Sequence, residues 1–204
     1  MAKNDNLKDF VTDLADAIRE KKGTTDLINP QDFADEIRNL PSGGDIDALV
    51  ARTITEYENN TIEEISAYVF AYCTALRKVI IPNVRKIGTL CFAHCSSVTE
   101  FQAPLMEDLG EQSLRNMSIV KFDFPHLKTI RAYAFNTTTL QALVLSGDSL
   151  CSLANVNAFG NTPIANGTGY IYVPADLVDT YKSATNWSTY ASQIKSIDEL
   201  PNEE

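Results

Sequence analysis

The sequence predicts an α/β solenoid, in which short coils stack on a parallel sheet between an N-terminal helical hairpin and a C-terminal helical cap. A large apolar residue, which we call the mark, returns at intervals of 22, 22, 21 and 24 residues. The marks are Phe70, Phe92, Leu114, Phe135 and Phe159. Alternating apolar positions, which have the period of a β-strand, precede most marks. A fixed period of about 20–30 residues is typical of solenoids.

The same apolar columns recur in five coils, which we place at residues 54–168. The coils open at Ile54, Leu76, Val98, Ile119 and Leu140. The inward strand positions that follow are Tyr57 and Asn59, Val79 and Ile81, Phe101 and Ala103, Phe122 and Phe124, and Leu143 and Leu145. Proline follows three of these strands, where the chain must turn away. A βα-type fold with coincidental spacing is the alternative, but it would require several columns to recur together by chance.

The fifth coil contains an insertion around residues 146–148. Two extra residues move its next apolar pair to Leu150 and Leu153. We expect both leucines to face the core, as their counterparts do in the preceding coils.

Residues 1–40 lack the repeat and predict a helical hairpin. Its first helix carries one apolar face at helical spacing, which consists of Leu7, Phe10, Val11, Leu14 and Ile18. Gly23 ends that helix, and Asn29 followed by Pro30 begins the second. Residues 41–53 are predicted to be a glycine-containing linker and a short helix that leads into the first coil.

Residues 169–204 predict a capping strand followed by short helices. Ile171 and Val173 continue the inward strand columns. Solenoids need atypical terminal units, because the last coil would otherwise expose its apolar side. The residues expected to form this lid are Leu177, Tyr181, Trp187 and Tyr190.

Residues 76–98 and 119–135 resemble the repeat of the BspA-like leucine-rich repeat family. The shared pattern is an apolar strand, a proline, an apolar pair and then Ala-Phe, a cysteine and a leucine, and it covers residues 54–164. Departures are local: Leu114 replaces phenylalanine, and only Cys73 and Cys95 keep the cysteine. The resemblance implies a right-handed leucine-rich repeat superhelix of the kind common in bacterial surface and adhesion proteins.

Residues 14–37 are similar to an N-terminal module of tail-associated proteins from phages and prophages of gut bacteria. In such proteins the module precedes variable repeats or receptor-binding regions. The resemblance implies a phage tail or virion component, with the module attached to an assembly. The alternative is that the hairpin only caps the first coil.

Composition and charge exclude several partners. The net charge is −10 at pH 7, and no basic patch is visible, so we expect no nucleic-acid partner. No apolar run is long enough for a membrane helix, so we expect no membrane insertion. The first residues have no apolar signal core, which predicts a protein made in the cytoplasm. It would be virion-associated if it belongs to a phage, and otherwise reach the bacterial surface by an unknown route.

The sequence offers no catalytic, cofactor or metal site that we would predict. His94 and His126 occupy non-equivalent repeat positions without an identifiable acid or nucleophile, and no phosphate-binding loop occurs. Cys91, His94 and Cys95 have a superficial metal-ligand spacing, but Cys91 should face the core and His94 an outer turn. We therefore predict a protein that is not an enzyme and has no cofactor. A glycan hydrolase that depends on His126 is a third hypothesis, which we do not favour.

Two rows of side chains should alternate with the core columns on the outer face of the sheet. The first row is Glu56, Lys78, Glu100, Lys121, Ala142 and Tyr170. The second row is Glu58, Ile80, Gln102, Asp123, Val144 and Tyr172. The alternating charges of the first row are explained by cross-strand pairing. The candidate partner-binding residues are Lys78, Ile80, Ala142, Val144, Tyr170 and Tyr172.

The last four candidates would form an apolar and aromatic patch, which suits a protein or sugar partner. The alternative is that the C-terminal elements fold over it.

The predicted function is a structural and interaction protein, namely a phage or prophage tail-associated scaffold that binds a protein or cell-surface glycan receptor and possibly other tail proteins. The alternative function is a BspA-like bacterial surface adhesin that mediates host interaction.

Overall fold

The structure, a computed structural model, describes residues 52–137 and 139–201. The chain divides into two units, residues 1–51 and 52–204, and every described residue belongs to the second unit. The predicted hairpin, most of the linker and the apolar face of the first helix lie outside the described residues.

Each of the five coils contributes two short parallel strands, here called the A strand and the B strand, and the C-terminal cap adds two further A strands. The A strands are β1 (Glu56–Glu58), β3 (Lys78–Ile80), β5 (Glu100–Gln102), β7 (Lys121–Asp123), β9 (Ala142–Val144), β11 (Tyr170–Val173) and β12 (Ile194–Ser196). The B strands are β2 (Glu64–Ile65), β4 (Lys86–Ile87), β6 (Asp108–Leu109), β8 (Thr129–Ile130) and β10 (Ser152–Leu153).

The strand register confirms the predicted columns. Val79 pairs with Tyr57 on one side and with Phe101 on the other, and Phe122 pairs with Leu143. The five B strands form one continuous parallel sheet. The A strands instead form a three-stranded sheet that ends at β5 and a four-stranded sheet that begins at β7. This interruption, which we call the seam, coincides with the first coil interval that is one residue shorter than 22.

The five marks lie one above another in the core, as predicted. Each is at most 1% exposed. The backbone N–H of each mark, from the first to the fourth, donates to a carbonyl of the next coil, at 2.9, 2.8, 3.0 and 2.9 Å. The rings of Phe70 and Phe92 stack in parallel with centroids 4.9 Å apart, and those of Phe135 and Phe159 stack at 5.4 Å. Leu114 interrupts this aromatic column.

Left-handed backbone conformations flank the marks although the residues are not glycine. Two residues before or after a mark, φ is positive at Tyr68, Tyr72, Leu90, His94, Gln112, Asn116, Tyr133 and Asn161. Such conformations are unfavourable for residues with a Cβ atom and need support from their surroundings. Here they direct alternate N–H groups at the neighbouring coil, for example Tyr72 N–H to the carbonyl of Ala93 at 2.8 Å.

The fifth coil departs from one prediction. Leu153 is buried as expected, but Leu150 is 41% exposed, and the neighbouring Cys151 is buried instead. The inserted segment passes close to the preceding coil, because a Cβ atom on Gly147 would lie 2.5 Å from the carbonyl oxygen of Pro125. The insertion thus changes which side chain enters the core, which the spacing alone did not reveal.

The C-terminal lid is built from short helices. They are 3-10 helices at Ala175–Leu177, Trp187–Gln193 and Ile197–Glu199, with the α-helix α1 at Val178–Ser183. Tyr181, Trp187 and Tyr190 are buried, as predicted, whereas Leu177 is only half-buried.

The lid satisfies backbone groups beside the last B strand with side chains. The Tyr181 hydroxyl accepts from Cys151 N–H at 2.9 Å, and Trp187 Nε1 donates to the Cys151 carbonyl at 2.7 Å. Asn186 Nδ2 donates to the carbonyl of Leu153 at 2.7 Å. These bonds replace the ladder that a sixth B strand would have supplied, because polar backbone groups left buried without partners are costly.

Candidate interaction surface

The two predicted outer rows exist in the A strands. In the first row, Lys78 lies between Glu56 and Glu100, and Ala142 lies between Lys121 and Tyr170. The second row runs in the same register, from Glu58 through Ile80 to Gln102, and from Asp123 through Val144 to Tyr172. The seam separates the two halves of each row.

In the first half, Lys78 and Ile80 are both half-buried. Lys78 Nζ lies 2.8 Å from Glu58 Oε1, diagonally across the two rows. The hydrogen bond that Lys78 donates to the Glu58 carboxylate raises the pKa of the Lys78 ammonium group, and the charges of Glu100 and Glu56 add to the effect. Lys78 therefore belongs to a network of carboxylates, which holds its charge in place beside the apolar Ile80.

In the second half, the predicted patch is only partly exposed. Ala142 and Tyr170 are half-buried, but Val144 is 1% exposed and Tyr172 is 5% exposed. The expectation that Val144 and Tyr172 lie on the surface is therefore wrong. The reason is that β12 pairs with β11 beyond them, and the 3-10 helix Ile197–Glu199 packs against β11. Whether any of the six candidate residues binds a partner stays a prediction.

Lys195, which the seventh A strand adds to this patch, was not among the residues predicted from the sequence. Lys195 lies opposite Tyr172 in the strand register. Its Nζ lies 3.8 Å from the centroid of the Tyr170 ring, which is a cation–π geometry. At the other edge of this sheet, partial burial raises the pKa of the Asp123 carboxyl group on β7, and Lys121 opposes this shift. The accessible patch is therefore Ala142, Tyr170 and Lys195, which are all half-buried and combine apolar, aromatic and cationic groups.

In and next to the A and B strands, the sign of the charge alternates from the first coil to the fourth, with Asp123 of β7 as the exception. The acidic residues in or next to the A and B strands of the first and third coils are Glu56, Glu58, Glu63, Glu64, Glu100, Glu107 and Asp108. The basic residues of the second and fourth coils are Arg77, Lys78, Arg85, Lys86, Lys121, Lys128 and Arg131. Opposite charges on adjacent strands stabilise by about 0.2–1 kcal/mol per pair, and pairing the first coil with the third would place like charges together.

Glu107 and Asp108 show this pairing on the B side. Glu107 bonds Arg85 of the second coil at 2.7 Å and Lys128 of the fourth coil at 2.6 Å. These hydrogen bonds, from Lys128 first and then Arg85, lower the pKa of the Glu107 carboxyl group. Asp108 pairs with Arg131 at 3.0 Å. The paired carboxylates therefore join coils together, and the B side spans the seam with ion pairs.

The two histidines lie apart in the described part of the chain. His94 stacks on Tyr72 with ring centroids 4.5 Å apart, and its Nδ1 lies 3.0 Å from Asn116 Nδ2. His126 borders a depression of about 90 Å³ beside the fifth-coil insertion, together with Asp148 and Tyr181. Across residues 52–137 and 139–201, no group of three or more His, Cys, Asp or Glu side chains is arranged to hold a metal ion.

A second depression, of about 280 Å³, lies beside the B strands. Its floor includes Gly88 and Gly110, and its rim includes Lys86, Glu111 and Arg131. A Cβ atom on Gly110 would lie 2.5 Å from the carbonyl carbon of Gly88, so the close approach of the two coils accounts for glycine there. The depression is lined by charged and apolar groups together, and we treat it as a secondary surface on the B side.

The stacked coils and paired strands define a repeat protein of the leucine-rich class. The family described as the BspA type leucine-rich repeat region matches residues 63–197 in six copies. Because this match covers more than half of the chain, the protein belongs to the BspA-type leucine-rich repeat family. The match takes in β11 and β12. Comparison with curated proteins gives no significant match.

This family assignment indicates a role in protein interaction or adhesion, and leucine-rich repeats are typically non-enzymatic interaction modules. The described residues contain no helix of sufficient length and apolar character to cross a membrane.

Proposed function

We propose that this protein is a non-enzymatic adhesion scaffold associated with a phage or prophage tail, and that the outer face of its A strands binds a receptor. The observation that carries the proposal is the paired rows on that face. They present fixed side chains on a backbone whose neighbouring strands are hydrogen-bonded. Binding then requires little reordering of the protein, which favours affinity.

The accessible patch of Ala142, Tyr170 and Lys195 is the part of this face best suited to a partner. An aromatic ring with a polar tip can stack on a sugar or pack in a protein interface. Lys195 adds a positive charge beside it. A cell-surface glycan or an acidic protein segment would complement this combination.

The resemblance of residues 14–37 to tail-associated proteins supports the tail assignment. Mass spectrometry of phage particles induced from the source bacterium tests it, and we expect the protein to co-purify with intact particles. Its absence from particles, together with its release by surface proteolysis of uninfected cells, would favour the bacterial surface adhesin instead.

The binding surface is tested separately, with purified protein on intact host cells. Tyr170→Ala and Lys195→Ala should each reduce the amount of bound protein. Tyr133→Ala is the matched control, because Tyr133 is exposed but lies beside a mark and not in an A strand. Equal loss of binding in the control, or no loss in the two patch variants, would contradict the proposed surface.

A further inference from the structure

Three of the four cysteines gather between the first two coils. Cys73, Cys91 and Cys95 are at most 1% exposed and carry free thiols. Cys151 is also buried, but it lies far along the stack beneath the lid, where its backbone bonds Tyr181 and Trp187. The cluster has no part in the proposed binding surface, and its chemistry is therefore a separate question.

Backbone geometry brings Cys73 and Cys95 to equivalent places in adjacent coils. Each follows its mark by three residues, and its N–H donates to the carbonyl of that mark, at 3.1 Å for Cys73 and 3.2 Å for Cys95. Cys95 Sγ also lies 3.0 Å from the Phe70 carbonyl, the same acceptor that receives the Cys73 N–H. The sulfur of Cys95 therefore reaches into the turn that contains Cys73.

The spacing of the coils suits a covalent link between these two residues. The N–H of Tyr72 donates to the carbonyl of Ala93 at 2.8 Å, so the two turns are held side by side by ladder hydrogen bonds. Neighbouring strands lie about 4.8 Å apart, and disulfides join Cα atoms that are about 4.4–6.8 Å apart. Both cysteines stand in one column, at a coil spacing that a disulfide can join.

The surroundings distinguish this pair from Cys91. Burial raises the pKa of all three thiols, to about 12 for Cys95 and well above the usual value for Cys91. The Arg52 guanidinium opposes that rise in pKa at Cys73 and at Cys95. This cation lies over the Tyr72 ring, 5.6 Å from its centroid, and bonds the carbonyl of Ala71. The positive charge of Arg52 thus offsets part of the cost that burial places on forming the Cys73 thiolate.

We propose that Cys73 and Cys95 form a disulfide that clasps the first two coils when the chain meets a small-molecule disulfide oxidant. The Cys73 thiolate attacks one sulfur of the oxidant and releases one thiol, giving a mixed disulfide. The Cys95 thiolate then attacks the Cys73 sulfur and releases the second thiol. The two cysteines lose two protons and two electrons, and the oxidant is reduced to two thiols. Because both cysteines are buried, exchange occurs during folding or when the first coil opens.

The test uses the full-length chain, refolded in glutathione disulfide with glutathione, or in reductant alone. Free thiols are then alkylated, and the protein is cut with trypsin and chymotrypsin. Trypsin cleaves between Cys73 and Cys95 at Arg77 and Lys86, and chymotrypsin separates Cys91 from Cys95 at Phe92. We expect one disulfide-linked peptide pair that contains Cys73 and Cys95, with Cys91 and Cys151 alkylated. A link to Cys91, or no link, would overturn the proposal.

The clasp should also change thermal stability. A disulfide between Cys73 and Cys95 closes a loop of 22 residues. It should raise the thermal unfolding midpoint of the oxidised protein by roughly 5–10 °C over that of the reduced form. The same gain should appear in Cys91→Ala and disappear in Cys73→Ala and Cys95→Ala, each compared with its own reduced form. If a cysteine variant fails to fold, the peptide mapping still tests the proposal, because it uses the unmodified chain. A gain that survives Cys95→Ala would also refute it.

Discussion

The flanks of the stack and the seam in its middle are held together differently. In the flanks, Phe70 stacks on Phe92 and Phe135 stacks on Phe159, each within 2° of parallel. At the seam the mark is Leu114, and the A strands on either side are not paired. The ring of Phe101 compensates there, because it meets Phe92 edge-on at 5.4 Å and Phe122 at 5.7 Å.

The difference shows that one repeat can be completed by more than one set of contacts. Where the mark is not aromatic, an A-strand residue supplies the ring, and the continuous B sheet carries the backbone pairing across. Glu107 strengthens that side by joining the second coil to the fourth. The core is thus continuous at the seam, but a different set of side chains fills it.

The largest expected effect tests the stacked flank. Phe92→Ala should lower the free energy of unfolding by about 3–5 kcal/mol, because it removes a fully buried ring that contacts two others. Urea denaturation checks this. Tyr68→Ala is the control, since Tyr68 is 59% exposed and should change stability by less than about 0.5 kcal/mol. A similarly small effect for Phe92→Ala would show that the stacked rings do not stabilise the flank.

The next prediction tests whether Phe101 takes the space of the missing ring. Leu114→Phe should destabilise the protein by about 1–3 kcal/mol, because the core at the seam is already filled. Adding Phe101→Leu should make room for the new ring. In a double-mutant cycle, we expect the double variant to be more stable than the sum of the single costs by about 1 kcal/mol or more. Simple additivity would show that the two positions are independent.

Replacing Ser113, which precedes the central mark Leu114, should have a smaller effect on the free energy of unfolding, and it should stabilise the protein. Ser113 is fully buried in a column that has alanine at Ala134 and Ala158, and its hydroxyl lacks a hydrogen-bond partner. Ser113→Ala should therefore stabilise the protein by about 1 kcal/mol. Thr137→Val is the matched control: its buried hydroxyl bonds the Met117 carbonyl at 2.6 Å, so this change should destabilise. Thermal melts of the two variants should shift in opposite directions.

The smallest effect concerns the charges that bridge the seam. The pKa of Glu107 is lowered in the folded protein, so its ion pairs contribute stability above the unfolded-state pKa and lose it as pH falls through the lowered folded-state pKa. The stability advantage over Glu107→Gln should therefore vanish in acid, and it should shrink in high salt. Glu111→Gln is the control, at the next turn of the same coil. An advantage that persists below both pKa values would contradict the pairing.

The apolar columns of the coils could be predicted from the sequence, whereas several contacts between coils could not. Val79, Phe122 and Leu143 could be placed because alternation and a near-constant period fix both face and register. The left-handed conformations at Tyr68 and His94 could not be predicted, because neither residue is glycine. Hydrogen bonds between coils support these conformations instead. The burial of Val144 and Tyr172 depends on β12, whose sequence does not repeat the usual spacing. Leu150 was misplaced because an insertion can change which residue turns inward.

An experimental structure of the full chain is the most direct test of the stacked-coil account. The account predicts parallel rings at Phe70 and Phe92 with centroids near 4.9 Å, Leu114 next in the same column, and parallel rings at Phe135 and Phe159 near 5.4 Å. Marks that do not superpose from coil to coil would contradict it.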